Sequence, residues 1–422
     1  MKILIAGAGI GGLTAALSLH AHGFDVTVFE SAGEIKPLGV GINILPSATR
    51  ELFELGLQAK LDKIAIRTRA MNYYNRHGKL VISAPCGEYA GYRWPQYSIH
   101  RGELQLMLRD AFVSTAGGDR VVCNHRLADF AQTSSSVMAT FVDPVSDAVK
   151  ARVDGDVLIG ADGIHSTVRG KLLPGEGQPR YSGMMSFRGS VVSKPYLDGQ
   201  TMIIVGDVRR KFVSYPISRT LQVEGKSHIN WIAGLPVEEQ MPEEDWNRQA
   251  EYDRLAPLYR EWRFDWLDVP QIMRDTRQIF EFPLQDRDPL SQWTFGRVTM
   301  LGDAAHPLIP VSSSGAVQAI IDGRALAFAL ARNADVKMAL KTYEADRLEK
   351  ANRLVRSSRK NGPDEVLELA RRRCPSYTDD IHAYVSHDEL QKVLDDFREA
   401  AGIGVEALNS LPSYNVSTAG VA

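Results

Sequence analysis

A strand, a glycine-rich turn, a helix and a second strand ending in an acid open this chain, and they constrain everything after them. Residues 1–30 read MKILIAGAGIGGLTAALSLHAHGFDVTVFE. The apolar run Lys2–Ala6 leads into Gly7-x-Gly9-x-x-Gly12, with Ile10 and Gly11 inside the spacing. Gly7 permits a sharp turn, Gly9 lets a pyrophosphate approach the backbone, and Gly12 lets the helix pack closely on the sheet. The helix N-terminus presents free N–H groups and a positive dipole end to phosphates. The second run, Val26–Phe29, ends at Glu30, whose carboxylate can accept hydrogen bonds from ribose hydroxyls. Alone, the motif says dinucleotide and leaves NAD and FAD equally open.

A chain of 422 residues is too long for one simple core and suggests two domains. With 44% hydrophobic and 24% charged residues, a substantial core is possible and global disorder is not suggested. A net charge of −2 gives no general reason to bind nucleic acid or an anionic membrane. Cys86, Cys123 and Cys374 are widely spaced and show neither a disulfide framework nor a zinc pattern, which points to a reducing compartment. The first residues look somewhat like a secretory signal, but cleavage would remove the dinucleotide turn. No other apolar run reaches the roughly 20 residues of a membrane span. A cytoplasmic protein is expected.

After a Gly- and Pro-rich loop, Ser31–Gly41, the run Ile42–Leu45 precedes Pro46, and Ser47 can cap a helix to about Leu61. Residues 68–83 read as a hairpin turning at His77-Gly78. The sequence Tyr97-Ser98-Ile99-His100-Arg101-Gly102-Glu103-Leu104 opens a helix to about Ser114, with Arg101 and Gln105 on one face. Residues 121–142 predict two strands, and 149–154 another. The buried strand Val157–Gly160 then ends in Ala161-Asp162-Gly163, with Ser166 placed to cap a short helix bearing Arg169.

From 181 to 235 strands dominate: Met184–Val192, Met202–Val205, Phe212–Ile217 and His228–Leu235. Residues 244–263 predict an amphipathic helix with Trp246, Leu255, Leu258 and Trp262, followed by a strand, Gln278–Pro283. The last landmark is Val298–Leu301 followed by Gly302-Asp303-Ala304-Ala305-His306-Pro307. It continues through Pro310 and Ser312-Ser313-Ser314-Gly315-Ala316 into a helix, Val317–Arg332. The serines are good caps, and Gly315 lets a flat ligand approach the backbone. His306 reads as structural. The helix 337–360 carries Arg347, Lys350, Arg353, Arg356 and Arg359, which read as a mostly solvated face. Gly362-Pro363 breaks it. Helices are expected at 364–373 and 388–401, and a frayed tail at 402–422.

Three acids, Glu30, Asp162 and Asp303, thus follow strand ends far apart in sequence, so their domain must be discontinuous. The expectation is an α/β chain: a Rossmann-like cofactor domain with an inserted mixed β-sheet domain and a C-terminal helical segment. The cofactor domain comprises 1–72, 98–180 and 273–340; the inserted domain 73–97 and 181–272; the C-terminal segment 341–422.

The ordered motifs Gly7–Glu30, Gly160-Ala161-Asp162-Gly163 and Gly302-Asp303-Ala304-Ala305-His306-Pro307 resemble those of class A FAD-dependent aromatic monooxygenases, the para-hydroxybenzoate hydroxylase family. The resemblance covers about 1–360. Runs at Pro37–Ile44 (including Leu38), Pro95–Leu104 and Ala331–Val336 look closest to the phenazine-biosynthesis subgroup. The resemblance implies that the opening turn and Glu30 hold the ADP half of FAD and that Arg101 reaches the pyrophosphate, with Gln105 nearby. It places Asp303 on a ribityl hydroxyl and the backbone of Gly315 and Ala316 at the flavin's pyrimidine edge. Gly41, Ile42, Leu127 and Asp162 complete the cofactor set, and Arg169 matches the Asp-Gly motif. Two departures mark the subgroup: Ser313-Ser314-Gly315 replaces a Gly-x-Gly pair, and Ile321-Asp322 stands where Glu-Asp is usual.

By resemblance, transient NADH or NADPH reduces FAD, and O₂ then forms a flavin C4a-hydroperoxide that hydroxylates an aromatic or N-heteroaromatic small molecule, in a monomer or homodimer. No catalytic residue and no metal are implied. Phe187, Arg188, Tyr215, Trp231 and Pro310 are candidates for the substrate pocket. Arg188 serves either a substrate carboxylate or an internal ion pair, and each aromatic serves either the pocket or plain core. The competing readings are an FAD-dependent dehydrogenase or other oxidoreductase on this fold, and a non-enzymatic FAD-fold binding protein. A halogenase is disfavoured because Trp231-Ile232-Ala233-Gly234-Leu235-Pro236 lacks a second Trp.

Overall fold

The opening strand Lys2–Ala6 is the centre of a five-stranded sheet in the order Val298–Met300, Val157–Gly160, Lys2–Ala6, Asp25–Phe29, Val121–Val122. Every pairing in it is parallel. Its central strands are covered on both faces, which is why they read as unbroken apolar runs. The computed structural model describes residues 1–37, 39–237, 248–310, 313–375 and 380–415. Helices Ile10–Ala21, Arg101–Ala116 and Ser314–Arg332 pack around this sheet. The carboxyl ends of the strands therefore gather Glu30, Ala161 to Gly163 and Gly302-Asp303 along one edge, where the strand order reverses. A three-stranded antiparallel sheet, Arg126–Gln132, Val137–Val142 and Val149–Gly155, is pinned to this layer by Phe29 stacked on Phe141 at 3.9 Å.

The second layer is a seven-stranded mixed sheet in the order Phe280–Asp286, Arg180–Ser193, Ser227–Pro236, Lys211–Pro216, Met202–Gly206, Ala70–Tyr74, Leu80–Pro85. Only Met202–Gly206 and Ala70–Tyr74 pair in parallel within it. Its strands come from three separated stretches. Ala70–Tyr74 begins just ahead of the expected boundary at 73, and Phe280–Asp286 lies within a stretch expected in the cofactor domain.

Strand alternation gives this sheet two different faces. Phe187, Phe212, Trp231 and Val205 lie on one, against Tyr259 and Met273 from helices Tyr252–Tyr259 and Val269–Asp275 and Trp262 from the connection between them. Tyr73, Ile204, Val213 and Tyr215 lie on the other, and helices Glu365–Arg373 and His387–Ala400 cover its far end.

Several local expectations are corrected. Ser47 caps nothing: the helix starts at Pro46, ends at Glu54, and gives way at Gly56 (φ 73°) to a second helix, Gln58–Ile64. Of the helix expected over 244–263, only Tyr252–Tyr259 is helical among the described residues, and residues 244–247, with Trp246, lie outside them. Arg347 is not solvated but 3% exposed, and Arg359 is paired with Asp286 and Asp288. The tail is tied down as far as it is described, since Val405–Ser410 is helical, Arg50 donates to the Leu411 carbonyl at 3.0 Å, and Tyr414 packs on Phe328. All three cysteines are free. Among the described residues no helix is long and apolar enough to cross a membrane, and no cluster could hold a metal ion.

Candidate active site

The two layers enclose a cleft lined by Gly9, Ile10, Gly11, Gly12, Gly41, Ile42, Arg101, Asp303, Gly315 and Ala316, so the expected cofactor residues from four separate stretches meet there. The glycines are not equivalent. A Cβ on Gly7 would lie 2.3 Å from the Ala161 carbonyl oxygen, and one on Gly12 would lie 2.1 Å from that of Gly7. Gly9 faces open space with nothing within 4 Å. Two glycines thus let the backbone fold onto itself, and the third leaves room for a ligand at a helix N-terminus that no side chain caps. Glu30 holds this turn, accepting from Ala8 N–H and Ala32 N–H at 2.8 Å each. Gln105 donates to the Ala8 carbonyl at 2.8 Å.

Arg101 begins its helix at the rim, and its guanidinium makes no ion pair among the described residues. Asp303 is exposed to the cleft at the end of Val298–Met300. The surrounding protein raises its carboxyl above the ordinary range, against the pull of His306 and Arg101. The helix that follows starts at Ser314, one turn before the expected Val317. Its N-cap, Ser313, adopts a left-handed φ of 55° and makes no capping bond; Ser312 lies outside the described residues. The first N–H groups of this helix, near Gly315 and Ala316, open on the cleft.

Other expected residues serve elsewhere. The Asp162 carboxylate accepts from Ser166 Oγ at 2.5 Å and Val168 N–H at 3.2 Å, so it braces its own turn while Ala161 and Gly163 line the cleft. Burial raises its pKa despite these bonds. Arg169 is buried, donates to the Ala305 carbonyl at 2.9 Å and pairs with Glu176, fixing the loop after Gly302. Leu127 belongs to the core and does not line the cleft. His306 is structural as expected, with Nε2 2.5 Å from Asp322.

The cleft runs on into a cavity of about 330 Å³ over the mixed sheet, lined by Arg188, Met202, Ile204, Tyr215, Ile232 and Pro310 among others. Phe187 and Trp231 are corrected here. Arg188 pairs across to Ile232, which puts its neighbours Phe187 and Trp231 on the opposite face, in core. Trp231 donates its indole N–H to Thr276 at 2.8 Å. Tyr215 does face the cavity, but its hydroxyl is committed to the Gly41 carbonyl at 2.8 Å. Asn230, one strand over, accepts from Gly41 N–H at 2.7 Å. The pair clamps the Gly41 loop onto the sheet. Asn230 went unnoticed in the sequence; its signal was a fully buried amide at the same strand parity as Arg188 and Ile232.

The family described as FAD binding domain matches residues 1–358. The chain belongs to that family. It is 40% identical over 361 residues to phenazine 1,6-dicarboxylic acid hydroxylase PhzS of Lysobacter antibioticus, covering 85% of this chain and 89% of that protein. It is 33% identical over 372 residues to 3-hydroxybenzoate 6-hydroxylase of Polaromonas naphthalenivorans, covering 86% and 87%. Its fold is similar to that of Klebsiella pneumoniae HpxO complexed with FAD and uric acid, with TM-score 0.71 and 23% identity over 97% of this chain and 95% of that one. The expected resemblance is borne out: this is an FAD-dependent monooxygenase of the aromatic hydroxylase class. The open space at Gly9, the uncapped helix N-terminus behind it and the unpaired Arg101 fit its dinucleotide cofactor.

Proposed function

We propose that this flavoprotein hydroxylates a carboxylated aromatic or N-heteroaromatic small molecule, with NADH or NADPH as reductant and O₂ as co-substrate. The observation that carries the reading is Arg188. Its guanidinium is half-buried at the cavity, Nε is held by Ser186 Oγ at 3.0 Å, and it lies over the Phe282 ring at 5.8 Å. No carboxylate pairs with it among the described residues. Burial, aided by the repulsion of Arg101, pushes its pKa below the usual arginine value, the mark of a cation without a counter-charge. A carboxylate is the planar acceptor that a guanidinium fork suits. The relative named for phenazine 1,6-dicarboxylic acid and the one named for 3-hydroxybenzoate both support an acidic aromatic.

Gly7, Gly9, Ile10, Gly11, Gly12 and Glu30 would hold the adenosine diphosphate end of FAD, Arg101 the pyrophosphate, and Asp303 a ribityl hydroxyl. The N-terminus of the helix Ser314–Arg332 would face the ring's pyrimidine edge and stabilise negative charge there. FAD, when bound, accepts hydride from the nicotinamide and activates O₂. The chain's own part is positional. Arg188 orients the substrate, the Tyr215–Asn230 clamp fixes the wall between cleft and cavity, and the apolar floor of Met202, Ile204 and Ile232 excludes water. The reading takes the protein as a cytoplasmic monomer or homodimer.

The test is NAD(P)H oxidation by FAD-loaded protein with phenazine-1,6-dicarboxylate, 3-hydroxybenzoate and their carboxamides, with product mass recorded. Acids should stimulate oxidation and gain one oxygen. Arg188→Met should raise KM for acids by about tenfold or more, the size of a lost charged hydrogen bond, and leave carboxamides unaffected. Equal performance of acids and carboxamides would overturn the assignment.

A further inference from the structure

A second chamber lies beyond the substrate cavity, on the same face of the mixed sheet. It holds about 110 Å³. Met202, Ile204 and Ser313 line both spaces, so the two meet there. Its outer wall is Leu394, Phe397, Ile403 and Leu408, all beyond residue 358, where the family match ends. Its inner end carries two polar groups with no partner among the described residues, Ser47 Oγ and Gln96 Nε2. Both side chains are more than nine-tenths buried, at 6% and 5% exposure. A buried donor without a partner loses its hydration with nothing in return, so two of them in one small space call for an acceptor.

Resting on the reading above, we propose that this chamber is a second substrate subsite. It takes the far ring of a fused polycyclic aromatic whose carboxylate end lies at Arg188, and Gln96 donates its amide N–H to an acceptor on that ring: a carbonyl, a ring nitrogen or a carboxylate oxygen. The strand register gives the span. Arg188, Ile232, Val213 and Ile204 are neighbours on four adjacent strands. Three interstrand spacings separate the Cα atoms of Arg188 and Ile204, about 14 Å. Once the arginine side chain reaches inward, that distance suits a multi-ring frame and leaves a single ring stranded at one end. The lining suits flat rings too: Met71 and Met202 are polarizable and adjust their shape. The segment after residue 358 thus acquires a role, as the wall that sets how long a substrate the enzyme accepts.

The experiment measures binding to the FAD-loaded protein by calorimetry without nicotinamide, and then KM, for phenazine-1,6-dicarboxylate and for 3-hydroxybenzoate. The variants are Ala84→Leu, which fills the chamber from the sheet side, and Gln96→Leu, which removes the donor with little change of volume. Wild type should prefer the tricyclic acid. Ala84→Leu should abolish that preference, and Gln96→Leu should weaken the tricyclic acid alone by about tenfold. Flavin content and melting temperature report folding, and Gln96→Leu carries the test should Ala84→Leu fail to fold. If both acids change alike, or neither changes, the chamber holds water and the proposal is overturned. If Arg188→Met loses both acids while the chamber variants change nothing, this proposal fails alone. If wild type binds neither acid, the substrate reading beneath it fails.

Discussion

Asp322→Asn asks whether a buried charge cluster fixes the cofactor cleft. The Asp322 carboxylate is fully buried on the helix Ser314–Arg332. One oxygen accepts from Arg347 Nε at 2.8 Å; the other accepts from Gly302 N–H at 3.0 Å and lies 2.5 Å from His306 Nε2. Burial alone would raise its pKa, but His306 and Arg347 outweigh that and hold it at about 2, against an ordinary 3.8. That depression is worth about 2 kcal/mol at neutral pH. Because the folded value is the lower one, the contribution is complete above about pH 4 and is lost as pH falls towards 2.

Asparagine keeps the shape and removes the charge. Arg347, 3% exposed, is then left among the described residues with neutral acceptors, Gln318 and the amide oxygen at 322, and no counter-charge. Breaking one partner out of a buried pair costs about 3–5 kcal/mol. Urea unfolding at pH 7 should show a loss in that range for both FAD-loaded and FAD-stripped protein. The acid limb between pH 4 and 2 should flatten in the variant. FAD affinity should fall as well, because the Gly302 N–H tether sets the turn that carries Asp303. A loss under about 1 kcal/mol, with an unchanged acid limb, would refute the argument: the cluster would then contribute no net charge interaction, and helix packing would hold the turn.

Two glycines of the opening motif should separate folding from binding. Gly12→Ala pushes a methyl to 2.1 Å from the Gly7 carbonyl and should cost about 1–3 kcal/mol of apoprotein stability, whereas Gly9→Ala meets nothing and should leave apoprotein melting unchanged while weakening FAD about tenfold. Wild-type FAD affinity in Gly9→Ala would contradict this division. The stacked pair His100–His228, 6.1 Å apart, should make stability fall on the acid side of neutrality. Burial lowers both pKa values from 6.5, so the unfolded chain takes up protons first, and stability present above pH 6.5 is lost as pH drops towards the folded values. His228→Asn should flatten the urea midpoint between about pH 7 and 5; an unchanged slope would exclude the pair as the cause.

What the sequence made legible is what is encoded locally. The Gly7–Gly12 spacing specifies a backbone path within six residues, and a strand that ends in an acid specifies where that acid will stand. The positions of Glu30 and Asp303 were readable for that reason. Asp162 was readable as to place but not as to work, because only the folded turn reveals that Ser166 and Val168 already occupy its oxygens. Arg347 looked solvated because its partner lies 25 residues upstream on another helix, and no local pattern pairs them.

The faces of the inserted sheet show the same boundary more sharply. Phe187 and Arg188 are adjacent, so alternation requires that one face the cavity and the other the core. Alternation cannot say which, because both faces of this sheet are buried and a polarity pattern discriminates only where one face is wet. The choice is made by the register with Ile232 and by which helices cover each side. That is why the aromatics Phe187 and Trp231 could be offered for the pocket although they share the core face, while Arg188, of the opposite parity, lines the cavity. A half-buried cation without a counter-charge is costly unless something answers its charge. Arg188 and Gln96 each carry an unanswered polar group along one continuous surface, a charge in one and an amide N–H in the other, and the proposed substrate site rests on that sign where hydrophobic pattern is silent.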